Sequence, residues 1–165
     1  MRLFSKALAV FFLALLASSS AQADACKQVD APISTSYFLA GCTSPVGLCT
    51  AGTIGSGVLA GTTRFTVLTL APGTSPYELL YTGELVITTK SGSVTVRDYG
   101  VFNQATGQYF ELQQVLSGTR RFEDATGTLT STGLGSTTGF SGTITGTVCP
   151  GSADGGQQAG GQQAG

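Results

Sequence analysis

The stretch Phe140-Ser141-Gly142-Thr143-Ile144-Thr145-Gly146-Thr147-Val148 constrains the fold more than any other part of the chain. Successive side chains of an extended strand point to opposite sides. Phe140, Gly142, Ile144, Gly146 and Val148 therefore share one face, and Ser141, Thr143, Thr145 and Thr147 share the other. A face that alternates glycine with bulky residues suits bends and close backbone approach inside a small barrel, because flat strands do not close. The threonine face is soluble with little charge.

The same texture runs from Ile33 to Val148: short runs rich in Thr, Val, Ser, Leu and Phe, punctuated by Gly, with no sustained helical periodicity. It predicts about eight strands: Ser34 to Leu39, Thr50 to Leu59, Thr63 to Leu70, Leu79 to Thr89, Ser93 to Phe102, Tyr109 to Leu116, Thr126 to Thr132 and Phe140 to Val148. Ser91-Gly92 reads as a hairpin tip, and Asn103 to Gln108 as the next turn, with Gly107 able to take a positive φ. The fold class is all-β, a single antiparallel barrel stabilised by disulfides.

Residues 1–23 have the layout of a signal peptide: Arg2 and Lys6, an apolar run from Ala7 to Ala17, then Ala21-x-Ala23 for cleavage. The apolar run, about 11 residues, is well short of the roughly 20 needed to span a bilayer. Asp24 and Ala25 before Cys26 argue against lipidation. The expectation is export to the periplasm or beyond, with no stable membrane insertion. At the other end, residues 151–165 repeat Gly-Gly-Gln-Gln-Ala and hold no apolar side chain larger than alanine. Such a segment cannot offset the entropy of ordering itself and is expected to be a disordered tail. Residues 24–150 form one domain, long enough to bury a core.

That domain and its tail carry Lys27, Arg64, Lys90, Arg97, Arg120 and Arg121 against nine acidic residues, a net charge of −3. Nucleic acids and anionic membranes are recognised by clustered Lys and Arg, so neither is an expected partner. An exported chain with an even number of cysteines favours disulfides. Cys26, Cys42, Cys49 and Cys149 allow three pairings, and sequence alone does not choose among them. Spacing favours Cys42 with Cys49 across a turn-like segment, and Cys26 with Cys149, joining ends that lie adjacent when a barrel closes. The chain has no histidine and no CxxC, so no metal site is expected.

Without histidine there is no Ser-His-Asp or Cys-His nucleophile. Gly52-Thr53-Ile54-Gly55-Ser56-Gly57 lacks the Gly-Lys-Ser/Thr of a phosphate loop and reads as bend and bulge. No cofactor is expected. Alternation places Asp98 among Val94, Val96, Gly100 and Phe102, an acid on an apolar face, where burial is costly unless it is paired and its pKa would be raised. On Tyr109 to Leu116 one face carries Phe110, Leu112, Gln114 and Leu116, and the other Tyr109, Glu111, Gln113 and Val115. Either face can point inward. If the second does, Tyr109 and Glu111 join Asp98 in a patch able to exchange protons. The plainer alternative pairs Asp98 with Arg97, Arg64 or a backbone amide near a barrel rim.

The run Ser117-Gly118-Thr119-Arg120-Arg121-Phe122-Glu123-Asp124-Ala125-Thr126-Gly127-Thr128-Leu129, followed by the glycine-alternating strand, resembles the closing strands of the allene oxide cyclase-like barrels, the superfamily that includes the dirigent proteins. Tyr81 to Phe102 is similar to the preceding strands. The sequence departs from the pattern with Arg120 where that motif usually has glycine. The resemblance covers roughly Thr50 to Val148. It implies an eight-stranded antiparallel barrel around an apolar cavity that holds a flexible or reactive small molecule in one shape. It also implies, if the protein is an enzyme, a cofactor-free cyclase or isomerase acting by confinement. Two functions follow: a barrel that binds, and cyclises or orients, a small apolar molecule with Asp98, Glu111 and Tyr109 as polar contacts, or a non-catalytic envelope, coat or matrix protein. Association between copies stays open.

Overall fold

A computed structural model describes residues 26–151. The expected signal peptide and nearly all of the expected tail lie outside these residues. Eight strands follow one another around a closed barrel: β1 (Lys27–Tyr37), β2 (Cys49–Ile54), β3 (Gly61–Pro72), β4 (Glu78–Thr89), β5 (Gly92–Asn103), β6 (Gln108–Gly118), β7 (Thr126–Gly135) and β8 (Gly139–Cys149). Every neighbouring pair is antiparallel, and β1 pairs with β8 from Lys27↔Val148 to Ser36↔Gly139, so no sheet edge is left open.

The strand predictions hold best from Leu79 onward and need two corrections before it. The first strand begins at Lys27, seven residues ahead of Ser34, and runs through Pro32. Proline fits there because its carbonyl accepts from the Gly55 N–H. Its missing N–H faces the same way, one residue past the last β1–β2 register pair, Ile33↔Ile54. The second strand stops at Ile54 instead of reaching Leu59. The chain turns through Gly57 at φ 76°, and Leu59 becomes a plug, fully buried at the barrel's end.

That end is closed. A short 3-10 turn, η1 (Arg120–Phe122), drives Phe122 into the base of the barrel, where it joins Leu59, Ile87, Val94, Val96, Leu129, Ile144 and Val148, all fully buried. Each such side chain contributes about 1.5–3 kcal/mol by leaving water, so this half carries most of the apolar stabilisation. Both disulfides pair as the spacing favours. Cys26–Cys149 staples the β1–β8 seam beside this closed end, and Cys42–Cys49 ties the β1–β2 connection at the opposite end. A link across 123 residues restricts the unfolded chain by about 4–5 kcal/mol in the chain-entropy model.

Arg120 takes a backbone conformation that suits glycine better than arginine. It sits at φ 55°, in the left-handed region that glycine occupies freely, and its side chain is exposed. The left-handed conformation costs an L-residue about 1–2 kcal/mol, and glycine's greater freedom in the unfolded chain returns part of that. Arg120→Gly is expected to stabilise the barrel by about 0.5–1 kcal/mol, read as a rise in the thermal midpoint of the otherwise unchanged protein.

Candidate functional site

The half of the barrel opposite Phe122 is not filled. A cavity of about 130 Å³ lies under the β1–β2, β3–β4, β5–β6 and β7–β8 connections, walled mainly by Ile33, Leu48, Phe65, Val67, Leu85 and Phe140. Tyr37 and Leu70 line its outer part and are themselves exposed, which places the opening at this end.

Asp98, Glu111 and Tyr109 all line this cavity. The face of β6 left open by the sequence points inward as Tyr109, Glu111, Gln113 and Val115. The more apolar face, Phe110, Leu112 and Leu116, is left about half exposed on the outside. Register decides this. Glu111 stands opposite Gly100 of β5 and Ser131 of β7, and Gln113 stands opposite Asp98 and Leu129. Turning β6 over would bury Phe110 and Leu112 against the same neighbours and expose Gln113, which is fully buried here.

Glycine lets the side chains meet. Tyr81 of β4, Gly100 of β5 and Glu111 of β6 lie in one row across the barrel. A β-carbon on Gly100 would collide with the Tyr81 ring, so only glycine lets that ring cross β5. The Tyr81 hydroxyl then donates to Glu111 Oε1 at 2.8 Å. Gln113 bridges the two acids, its Nε2 donating to Glu111 Oε2 at 3.1 Å and to Asp98 Oδ2 at 3.3 Å. Tyr109 is held separately, its hydroxyl 3.1 Å from Ser131 Oγ. Phe140 anchors the aromatic wall, with ring centroids 5.4 Å from Tyr109, 5.6 Å from Tyr37 and 5.7 Å from Phe102, all edge to face.

Among the described residues no lysine or arginine pairs with these acids. Arg97 turns outward to Glu84 at 3.8 Å. Arg64 lies over the Phe38 ring and donates to the Gly41 carbonyl. The simple pairing of Asp98 with an arginine is therefore not what the barrel uses. Asp98 Oδ1 and Gln113 Oε1 are buried with no hydrogen-bond partner. Burial, and then the charge of Glu111, push the Asp98 carboxyl well above its ordinary value, against weaker opposition from Gln113 and Arg97. Burial raises Glu111 to about 7, partly offset by the hydrogen bonds from Tyr81, Gln113 and Ser131. Burial also raises Tyr81 and Tyr109, so both phenols stay neutral. Both carboxyls are pushed toward their protonated forms, and Glu111 titrates near neutrality, an arrangement able to donate and accept protons.

Three members of the cluster were not singled out in the sequence: Tyr81, Gln113 and Ser131. Their signal is cross-strand register, with a tyrosine two strands from an acid and a glycine between them. Among the described residues no group of three or more His, Cys, Asp or Glu side chains is arranged to hold a metal, and no helix is long and apolar enough to cross a membrane. No family model, curated protein or solved structure matches the chain.

An acid whose pKa is raised by folding binds more protons in the native state, so stability is lost as pH rises from the ordinary value toward the folded one. For Glu111 that window runs from 4.5 to about 7. Denaturant titrations are expected to find the protein less stable at pH 8 than at pH 5. Glu111→Gln should flatten that dependence and gain on the order of 2 kcal/mol at pH 8.

Proposed function

We propose that this barrel binds a small, largely apolar molecule in its interior, gripped by the Asp98, Gln113, Glu111 and Tyr81 cluster and by Tyr109, after export to an oxidising compartment. The observation that carries this reading is a buried carboxylate oxygen, Asp98 Oδ1, left without a partner on the wall of an apolar cavity. Buried polar groups are ordinarily satisfied, and an unsatisfied one costs about 1–3 kcal/mol. A ligand that supplies the missing partner, a donor to the ionised acid or an acceptor to the protonated one, recovers that cost. The resemblance of Ser117 to Leu129 to the allene oxide cyclase-like barrels supports the same reading. Two disulfides fit the exported setting.

With a ligand enclosed, a protonated Asp98 can donate and Glu111 can accept. The chemistry this favours is a cofactor-free isomerisation or cyclisation, in which confinement selects one shape and the acids move a proton. An engineered apolar cavity of about 150 Å³ takes up benzene, so the fit here is to one ring or a short chain. Single-ring compounds are expected to raise the thermal midpoint and appear as one-to-one complexes in native mass spectrometry. Asp98→Asn with Tyr81→Phe should weaken binding of hydrogen-bonding members at least tenfold. If no single-ring compound binds, the reading fails.

A second reading, a non-catalytic envelope, coat or matrix component, draws on the outer surface. Leu80, Tyr99, Phe110 and Leu112 are each about half exposed on adjacent strands β4 to β6, with Tyr99 opposite Leu112 and Val101 between Leu80 and Phe110. Contiguous exposed apolar patches mark association surfaces. If this face associates, light scattering after size exclusion should find more than one copy per particle, and Phe110→Ser with Leu112→Ser should return a monomer without loss of stability.

A further inference from the structure

The cavity's chemistry says more than that it is apolar, and the inference below rests on reading it as a ligand site. The cluster is short of donors. When both acids are ionised, Asp98 and Glu111 present four carboxylate oxygens, and Gln113 adds an amide oxygen. Against these stand the Tyr81 hydroxyl and the Gln113 NH₂. The Tyr109 hydroxyl and Ser131 Oγ share one hydrogen bond, which leaves one hydroxyl proton that Ser131 can offer to Glu111, and the acceptors still outnumber the donors. Asp98 Oδ1 remains bare although Asp98 is 1% exposed and lines the cavity.

Charge is equally one-sided. None of Lys27, Arg64, Lys90, Arg97, Arg120 or Arg121 lines the cavity, so nothing inside it compensates an anion. A ligand carboxylate would bring a third acid to a site that already holds two, at a separation where like charges repel strongly in a weakly polarisable interior. An ammonium group brings three donors and no acceptor, the complement of what the cluster lacks. The wall above the acids adds to the match. Tyr37, Phe102, Tyr109 and Phe140 line the same space with aromatic surface, against which the hydrocarbon of such a ligand packs.

We propose that the cavity is selective for a primary amine carried on a single ring or short apolar chain, with the ammonium held between Asp98 and Glu111 and the hydrocarbon against the Phe140 wall, and that it rejects a carboxylate of the same shape. Binding is a proton exchange as well as a contact. Burial biases the empty pair toward its protonated form, and a cation displaces the Glu111 proton to solvent, so amine binding releases a proton and tightens with pH through the range in which Glu111 titrates, near 7. The other titratable groups facing the pair are Tyr81 from β4 and Tyr109 from β6, both neutral, with Tyr37 of β1 farther toward the mouth and also raised by burial. Arg97 of β5 points outward to Glu84. The remaining strands offer only residues such as Thr50, Phe65, Ser131 and Phe140, which do not titrate.

Titration calorimetry with benzylamine, benzyl alcohol, toluene and benzoate, run on the intact disulfide-linked protein in two buffers of different ionisation enthalpy, tests this. Benzylamine is expected to bind at least tenfold tighter than benzyl alcohol. Its affinity should increase between pH 5.5 and 8 by up to about tenfold per unit for each proton released, with a buffer-dependent heat that toluene lacks, and benzoate should not bind. Asp98→Asn with Glu111→Gln should erase the preference for benzylamine over benzyl alcohol and abolish the buffer-dependent heat. If the alcohol or benzoate matches the amine, or amine binding releases no proton, the amine assignment is overturned while the ligand-binding function stands. If none of the four binds, both fall. Should the double variant not fold, the wild-type series decides by itself.

Discussion

Closure of β1 onto β8 is the constraint on which the rest depends. Eight strands enclose an interior that side chains can nearly fill, and only with the seam shut does every inward side chain face another. The pairing from Lys27↔Val148 to Ser36↔Gly139 shuts it. The Cys26–Cys149 link lies at one end of that seam and keeps its two strands, the most distant in sequence, from separating. A barrel built from such long-range pairing gains little until the ends meet, and a covalent tie between them removes much of that loop-closure entropy from the unfolded chain.

Closure also divides the interior. The base, from Leu59 and Phe122 up through Ile87, Val94, Val96, Leu129, Ile144 and Val148, is packed apolar side chains with no exposed surface. That half stabilises the fold strongly enough for the upper half to hold two uncompensated acids and an unpartnered oxygen. A sequence selected for stability alone would place leucine at positions 98 and 111. Local rules broken at a cost, in a cavity, are where function is expected to concentrate.

Strand β6 shows this most directly. Its apolar face, Phe110, Leu112 and Leu116, is the one turned to solvent, and its polar face is buried. Two consequences come from one inversion: an acid-lined interior and an apolar exterior stripe. The interior cavity and the outer apolar stripe are therefore not independent, since the register that creates the first exposes the second.

Much of this was legible in the sequence. Glycine and β-branched runs specified strands, the parity of Phe140 to Val148 specified which side of β8 is the interior, and cysteine spacing favoured the pairing found. Asp98 was visible as an acid among apolar neighbours, because one strand's alternation is a local property. Tyr81, Gln113 and Ser131 were not, and neither was the inward face of β6, because both of its faces carry apolar residues and local alternation cannot choose. Tertiary structure chose through the registers Gly100↔Glu111 and Asp98↔Gln113, which bring together side chains from β4, β5, β6 and β7. Periodicity within a strand is written in consecutive residues, whereas register between strands is set by the packing of the whole closed barrel. The sequence by itself therefore marked the strands, favoured one set of cross-links and exposed one acid, and only the folded barrel decided that this acid has a partner and a cavity to face.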